Sequence, residues 1–175
     1  MEADENKRQE YLENISKIKK EDIIYIDESG IYLNEMKDRG WGRKGQIIKD
    51  KKKGRRSKRI NIIAGLCNKK IVMPVLYEMN CNKEIFNKWI EMLITTLKPN
   101  QVVVMDNASF HKSSEVQRLI ESVGCKLIYL PPYSPDLNPI EKFWANMKRW
   151  IEYNIANFTQ LYDAIACFFK MPNSI

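Results

Sequence analysis

Apolar residues recur at helical spacing in five stretches of the chain, and between these stretches they alternate or run together in short blocks, the two signatures of helix and strand. Residues 7 to 20 predict an amphipathic helix with Tyr11, Leu12, Ile15 and Ile18 on one side. Strand-like runs follow at residues 23 to 26 and 31 to 33, with Gly30 marking a tight connection between them. Residues 61 to 66 and 71 to 77 read as two strands joined by a turn at Asn68, Lys69 and Lys70, so three antiparallel strands are expected at the front, with one extra pairing open. From Asn82, a suitable N-cap, to Leu97, the residues Ile85, Phe86, Trp89, Met92, Leu93 and Thr96 follow helical spacing. Residues 102 to 105 form a continuous apolar run rich in valine, the pattern of a central strand covered on both faces. Ser113 or Ser114 then caps a second long helix that Gly124 ends, and residues 127 to 130 form a fifth strand. Pro131, Pro132, Pro135 and Pro139 forbid regular structure until Ile140, where a helix begins with Ile140, Phe143, Trp144, Met147 and Ile151 as its buried stripe. A last helix covers residues 159 to 169. Strands separated by helical crossovers are parallel and right-handed, so this order predicts an α/β fold with a mixed five-stranded sheet flanked by helices.

Composition narrows the class. With 175 residues, 44% of them hydrophobic and 10% aromatic, one globular unit with a substantial core is expected. No apolar run approaches the roughly 18 residues of a membrane span, and the charged first twenty residues lack the apolar centre of a signal peptide. Cys67, Cys81, Cys125 and Cys167 are widely spaced and His111 is the sole histidine, which indicates neither a zinc knuckle nor a disulfide framework. The net charge of +7 is concentrated: Lys49, Lys51, Lys52, Lys53, Arg55, Arg56, Lys58 and Arg59 face a single acid, Asp50. That is a phosphate-binding composition, although a solvated loop that touches no partner has the same one.

Three acids then carry the candidate chemistry. Asp27 ends the first strand, Asp106 follows the valine-rich strand, and Glu141 stands in the first turn of the helix after the prolines. The C-terminal ends of parallel neighbours meet at one sheet edge, where ligands of open α/β sheets gather. Hard carboxylate oxygens there suit Mg²⁺, which is usually held by one or two carboxylates plus substrate phosphate. A pair of such ions can stabilise both the attacking and the leaving oxygen of a phosphodiester displacement. Each acid has a plainer reading. Asp27 and Asp106 fit ordinary turn chemistry, and Glu141 fits a capping box in which it bonds back to the Asn138 amide.

Taken together, Asp27 within residues 25 to 30, Asp106 within residues 104 to 111 and Glu141 within residues 130 to 144 resemble the catalytic domain of DDE transposases of the mariner superfamily, in the bacterial insertion-sequence branch. Residues 107 to 140, 34 in all, separate the second Asp from the Glu, the interval of a large subgroup of that superfamily. The resemblance implies a ribonuclease-H-like fold for residues 21 to 175, behind a short helical lead-in at residues 1 to 20 and with no N-terminal helix-turn-helix region. It implies Asp27, Asp106 and Glu141 as catalytic ligands of Mg²⁺ or Mn²⁺, two ions in all, with Asn107 and His111 supporting them. For His111 the plainer alternative is a helix-entry histidine satisfied by backbone groups, and Trp144 and Trp150 read as packing rather than as stacking platforms for bases. The implied activity is cleavage of transposon ends and transfer of their 3′ hydroxyls to target DNA, in the bacterial cytoplasm at the nucleoid. Implied partners are DNA, a second copy through the loop around Trp41, and a separately encoded DNA-recognition half. The alternatives are a non-catalytic DNA-binding fragment or relic, or another nuclease on the same fold.

Overall fold

The computed structural model describes residues 4–32, 59–108 and 111–171. Five strands form one mixed sheet in the order β3, β2, β1, β4, β5. The long strand β1 (Ile23–Tyr32) pairs antiparallel with β2 (Arg59–Cys67), which pairs antiparallel with β3 (Lys70–Tyr77). On its other side β1 runs parallel to β4 (Val102–Met105), and β4 runs parallel to β5 (Lys126–Tyr129).

The helices cover both faces, as parallel crossovers require. On one face lie α2 (Lys83–Ile94) and α3 (Ser114–Ser122), whose Phe86, Trp89, Ile90, Val116 and Ile120 pack against Ile24, Ile26, Val103 and Met105. On the other lie α4 (Pro139–Asn154) and α5 (Leu161–Lys170), packed on Ile31, Ile62, Ala64 and Leu66. The expected α4 stripe is fully buried. Trp150 packs its ring against Phe158 and Phe168, in keeping with a packing role. The caps fall where the sequence places them: the Asn82 side chain accepts from the Ile85 amide at 2.9 Å, and Ser113 accepts from Val116 at 3.2 Å. The lead-in helix α1 (Glu5–Ser16) sets Tyr11 against Val102, Val104 and Leu130.

Three details differ from expectation. Residues 23 to 32 form one continuous strand, with Gly30 inside it. The glycine stands in mid-strand instead of at a turn, with the flexible guanidinium of the exposed Arg59 lying across it. Leu12 is 41% exposed, since its rotation of about 100° from Tyr11 takes it off the stripe that Tyr11, Ile15 and Ile18 define. Met92 on α2 is likewise exposed, one position short of the buried Leu93. The turn at Asn68 and Lys69 has positive φ at both residues, as a two-residue hairpin requires.

Candidate active site

The site grows from the parallel pairing of β1 and β4. Their last paired residues are Tyr25 and Val104, and two residues beyond them stand Asp27 and Asp106. Strand alternation sends Asp27 towards α4, where its Oδ2 accepts from Nε1 of the buried Trp144 at 3.0 Å. Trp144 is one helical turn beyond Glu141, so the first turns of α4 bring both residues to the same edge. Asp27, Asp106, Asn107, Asn138 and Glu141 line one cavity of about 250 Å³, roofed by residues 130 to 135. The chain enters α4 at a fixed place because Asn107 Nδ2 donates to Leu130 O at 2.7 Å and Asn138 Nδ2 donates to Ile26 O at 3.4 Å.

Glu141 does not form the capping box. The Asn138 amide donates instead to Pro135 O at 2.9 Å, and among the described residues no hydrogen bond holds the Glu141 carboxylate. Asp106 is tethered on one side only. Its Oδ1 accepts from the Ala108 amide at 2.9 Å and bonds Nδ1 of His111, and among the described residues no hydrogen bond reaches Oδ2. His111 is only 1% exposed, and its Nε2 lies 3.0 Å from Oε1 of Glu28. Its ring centroid is 4.2 Å from that of Phe86, and Tyr129 donates its hydroxyl to His111 O at 3.2 Å. This is more than a histidine satisfied by backbone: two carboxylates grip the ring.

The electrostatics follow from burial and like charge. Burial, then the neighbouring Glu141 and Glu28, push the Asp27 carboxyl up to about 8. Burial alone would lower His111, but hydrogen bonds to Asp106 and Glu28 outweigh it and lift the imidazole to about 9. Burial opposes ionisation of Asp106 as well, yet the His111 and Ala108 bonds hold its carboxyl below the usual range. The edge is thus rich in hard oxygen donors with too little positive charge among them.

A divalent cation fits that deficit. Asn138, 4% exposed and lining the cavity, carries an Oδ1 with no hydrogen-bond partner among the described residues. Such a buried acceptor ordinarily finds one. Among the described residues no group of three or more His, Cys, Asp or Glu side chains stands close enough together to hold a metal ion. Asp27, Asp106 and Glu141 instead line a shared cavity without closing on one point, and Glu141 is exposed. Of the predicted DNA-contacting residues, Lys49, Lys51, Lys52, Lys53, Arg55, Arg56 and Lys58 lie outside the described residues, as does the loop around Trp41. Arg59 opens β2, exposed, with its guanidinium 5.2 Å from the centre of the Tyr32 ring.

Sequence reasoning missed Glu28, and saw only packing in Trp144 and a cap in Asn138. For Glu28 the available signal was its place beside Asp27 in a strand, which sends it to the opposite face.

The family described as DDE superfamily endonuclease matches residues 22–162. Among solved structures the chain is similar to a Mos1 transposase paired-end complex with left transposon end, at 16% identity over 97% of this chain and 54% of that one, with a TM-score of 0.75. It is similar to a Mos1 mariner paired-end complex with Mn, at 14% identity over 97% and 54%, with a TM-score of 0.70. It is also similar to the Mos1 transposase catalytic domain with raltegravir and Mg, at 14% identity over 97% and 81%, with a TM-score of 0.64. At these identities the likeness shows the fold, which is ribonuclease-H-like. The chain spans about half the length of the transposase chains in the two paired-end complexes. No curated protein matches it in sequence. Among the described residues no helix is long and apolar enough to cross a membrane.

Proposed function

The chain belongs to the DDE superfamily endonucleases, and on that premise we propose that it is the catalytic domain of a transposase, which cuts DNA strands and joins the freed 3′ ends to target DNA. The observation that carries this reading is the shared cavity: Asp27 from β1, Asp106 from the end of β4 and Glu141 from α4 line one space at the C-terminal edge of the parallel strands.

Asp27, Asp106 and Glu141 would hold Mg²⁺ or Mn²⁺, with two ions in the full site. When bound, such ions polarise the scissile phosphate and make water a competent nucleophile at neutral pH. The protein's own groups do the positioning. Trp144 fixes one oxygen of Asp27 and leaves the other to the cavity. Ala108 and His111 fix Oδ1 of Asp106 and leave Oδ2. Glu141, free of a capping bond, approaches from the helix side. Three acids repel a polyanion, and the basic residues between Lys49 and Arg59 supply the opposing charge along the DNA backbone. We assign recognition of defined ends to a separate DNA-recognition half and pairing of ends to a homodimer. The similar transposase structure is a paired-end complex with a transposon end, which supports DNA as the partner.

The test incubates the chain with labelled duplex DNA and Mg²⁺ or Mn²⁺. Weak, sequence-blind nicking that needs a divalent ion and vanishes in Asp27→Ala, Asp106→Ala and Glu141→Ala is the expected result. Joining to target should appear when the recognition half is supplied. Metal-dependent nicking that survives Asp106→Ala would refute the assignment.

A further inference from the structure

We propose that Glu28 is a positioning residue, which through His111 dictates the oxygen that Asp106 turns to the cavity. The proposal rests on the reading of Asp106 as a metal ligand, and it adds a second carboxylate behind the first.

The side chains form one connected series. Cys81, in the connection from β3 to α2, donates its thiol to Oε1 of Glu28 at 3.7 Å. The same oxygen lies 3.0 Å from Nε2 of His111, whose Nδ1 bonds Oδ1 of Asp106. The backbone of His111 is held at both ends, its amide donating to Ala108 O at 3.0 Å and its carbonyl accepting from Tyr129. The Phe86 ring packs against the imidazole, tilted 35° from its plane. What remains to be fixed is rotation of the ring about its own axis, and the bond at Nε2 fixes it. Without Glu28 that buried nitrogen would lose this bond, and the ring would be freer to turn. Turning the ring releases Oδ1 of Asp106, leaving the Ala108 amide as its one remaining donor among the described residues.

The placement in the sheet gives this strap its use. Asp27 and Glu28 are neighbours in β1 and point to opposite faces. One strand therefore holds the first carboxylate directly and orients the second through His111. Partners that orient a metal ligand from behind commonly alter metal affinity or activity 10–100-fold when removed.

His111 is the sole histidine, so its ring gives an unambiguous ¹⁵N–¹H signal in the intact chain. The experiment measures Mn²⁺ affinity by electron paramagnetic resonance, and the His111 ring spectrum with and without Mg²⁺, in wild type, Glu28→Ala, Glu28→Asp, Glu28→Gln and Asp106→Ala. Wild type should show a slowly exchanging Nε2 proton and an Nδ1 signal that shifts with Mg²⁺. Glu28→Ala and the shortened Glu28→Asp should lose that protected proton and bind Mn²⁺ about 10–100-fold more weakly while melting cooperatively. Glu28→Gln, whose carbonyl still accepts from Nε2, should restore affinity to within about threefold of wild type, well short of that roughly 10–100-fold loss. Wild-type affinity in Glu28→Asp, or in a folded Glu28→Ala, overturns the proposal, as does a Gln variant as weak as the Ala variant. Undiminished Mn²⁺ binding in Asp106→Ala overturns the metal-ligand reading beneath it, whereas loss there with unchanged Glu28 variants overturns the positioning role alone.

Discussion

Replacing Asp27 with Asn should make the metal-free protein more stable and at the same time inactive. The carboxyl is raised from 3.8 to about 8, by burial first and then by Glu141 and Glu28. A group whose folded value exceeds its unfolded value loses stability as pH rises between the two. The penalty is therefore absent near pH 4, grows towards pH 8 and is level above it. A displacement of about four units at about 1.4 kcal/mol each sets a ceiling on the order of 5 kcal/mol. Asn keeps the shape, and its carbonyl still accepts from Trp144, but it cannot reproduce every bond. We expect about 2 kcal/mol of that ceiling to be recovered at pH 8, or roughly 4–8 °C in melting temperature for a chain of this size. Thermal unfolding followed by circular dichroism, in chelator from pH 4 to 9, gives the comparison. Added Mn²⁺ should then stabilise wild type by mass action and leave the variant nearly unmoved. An Asn variant no more stable than wild type at pH 8, or an advantage that does not shrink towards pH 4, would show that Asp27 carries no uncompensated charge.

His111 adds a second pH dependence of the same sign: raised from 6.5 to about 9, its contribution is complete below pH 6.5 and lost as pH rises through 9. Metal-free His111→Asn should accordingly lose more stability at pH 6 than at pH 9.5, by up to roughly 3 kcal/mol in urea unfolding. Trp144→Phe removes the donor to Asp27 and should cost about 1–3 kcal/mol, with loss of nicking beyond what the lower stability explains. Replacing Lys51, Lys52, Arg55 and Arg56 together should weaken binding equally across unrelated DNA sequences and reduce the salt slope by roughly 0.9 for each phosphate no longer neutralised. An unchanged slope would mark the basic segment as a bystander.

Much of this architecture is legible in the chain because the elements that build the edge have unambiguous periods. Four consecutive apolar residues at 102 to 105 cannot present a solvent face, and β4 is accordingly central. The α4 stripe is a 3.6-residue pattern behind four prolines, and every member of it is buried. Asp106 stands out because it follows β4, Asp27 because it follows the apolar run at 23 to 26, and Glu141 because it stands in the first turn of α4. Gly30 misled because a glycine inside a strand and a glycine at a turn look alike until Arg59, 29 residues away, is seen lying across it. The partnership of Glu28 with His111 spans 83 positions, and periodicity gives the face of a side chain but not its partner there. Trp144 was legible as core and not as a donor, since its indole does both.

Crystals of the chain soaked in Mn²⁺ and measured at the manganese edge locate the ions without reference to activity. Anomalous peaks should fall in the cavity between β1, β4 and α4, with carboxylate oxygens of Asp27, Asp106 and Glu141 all turned to them. Manganese absent from that cavity at saturating concentration, or bound there while Glu141 points to solvent, would contradict a shared three-carboxylate centre.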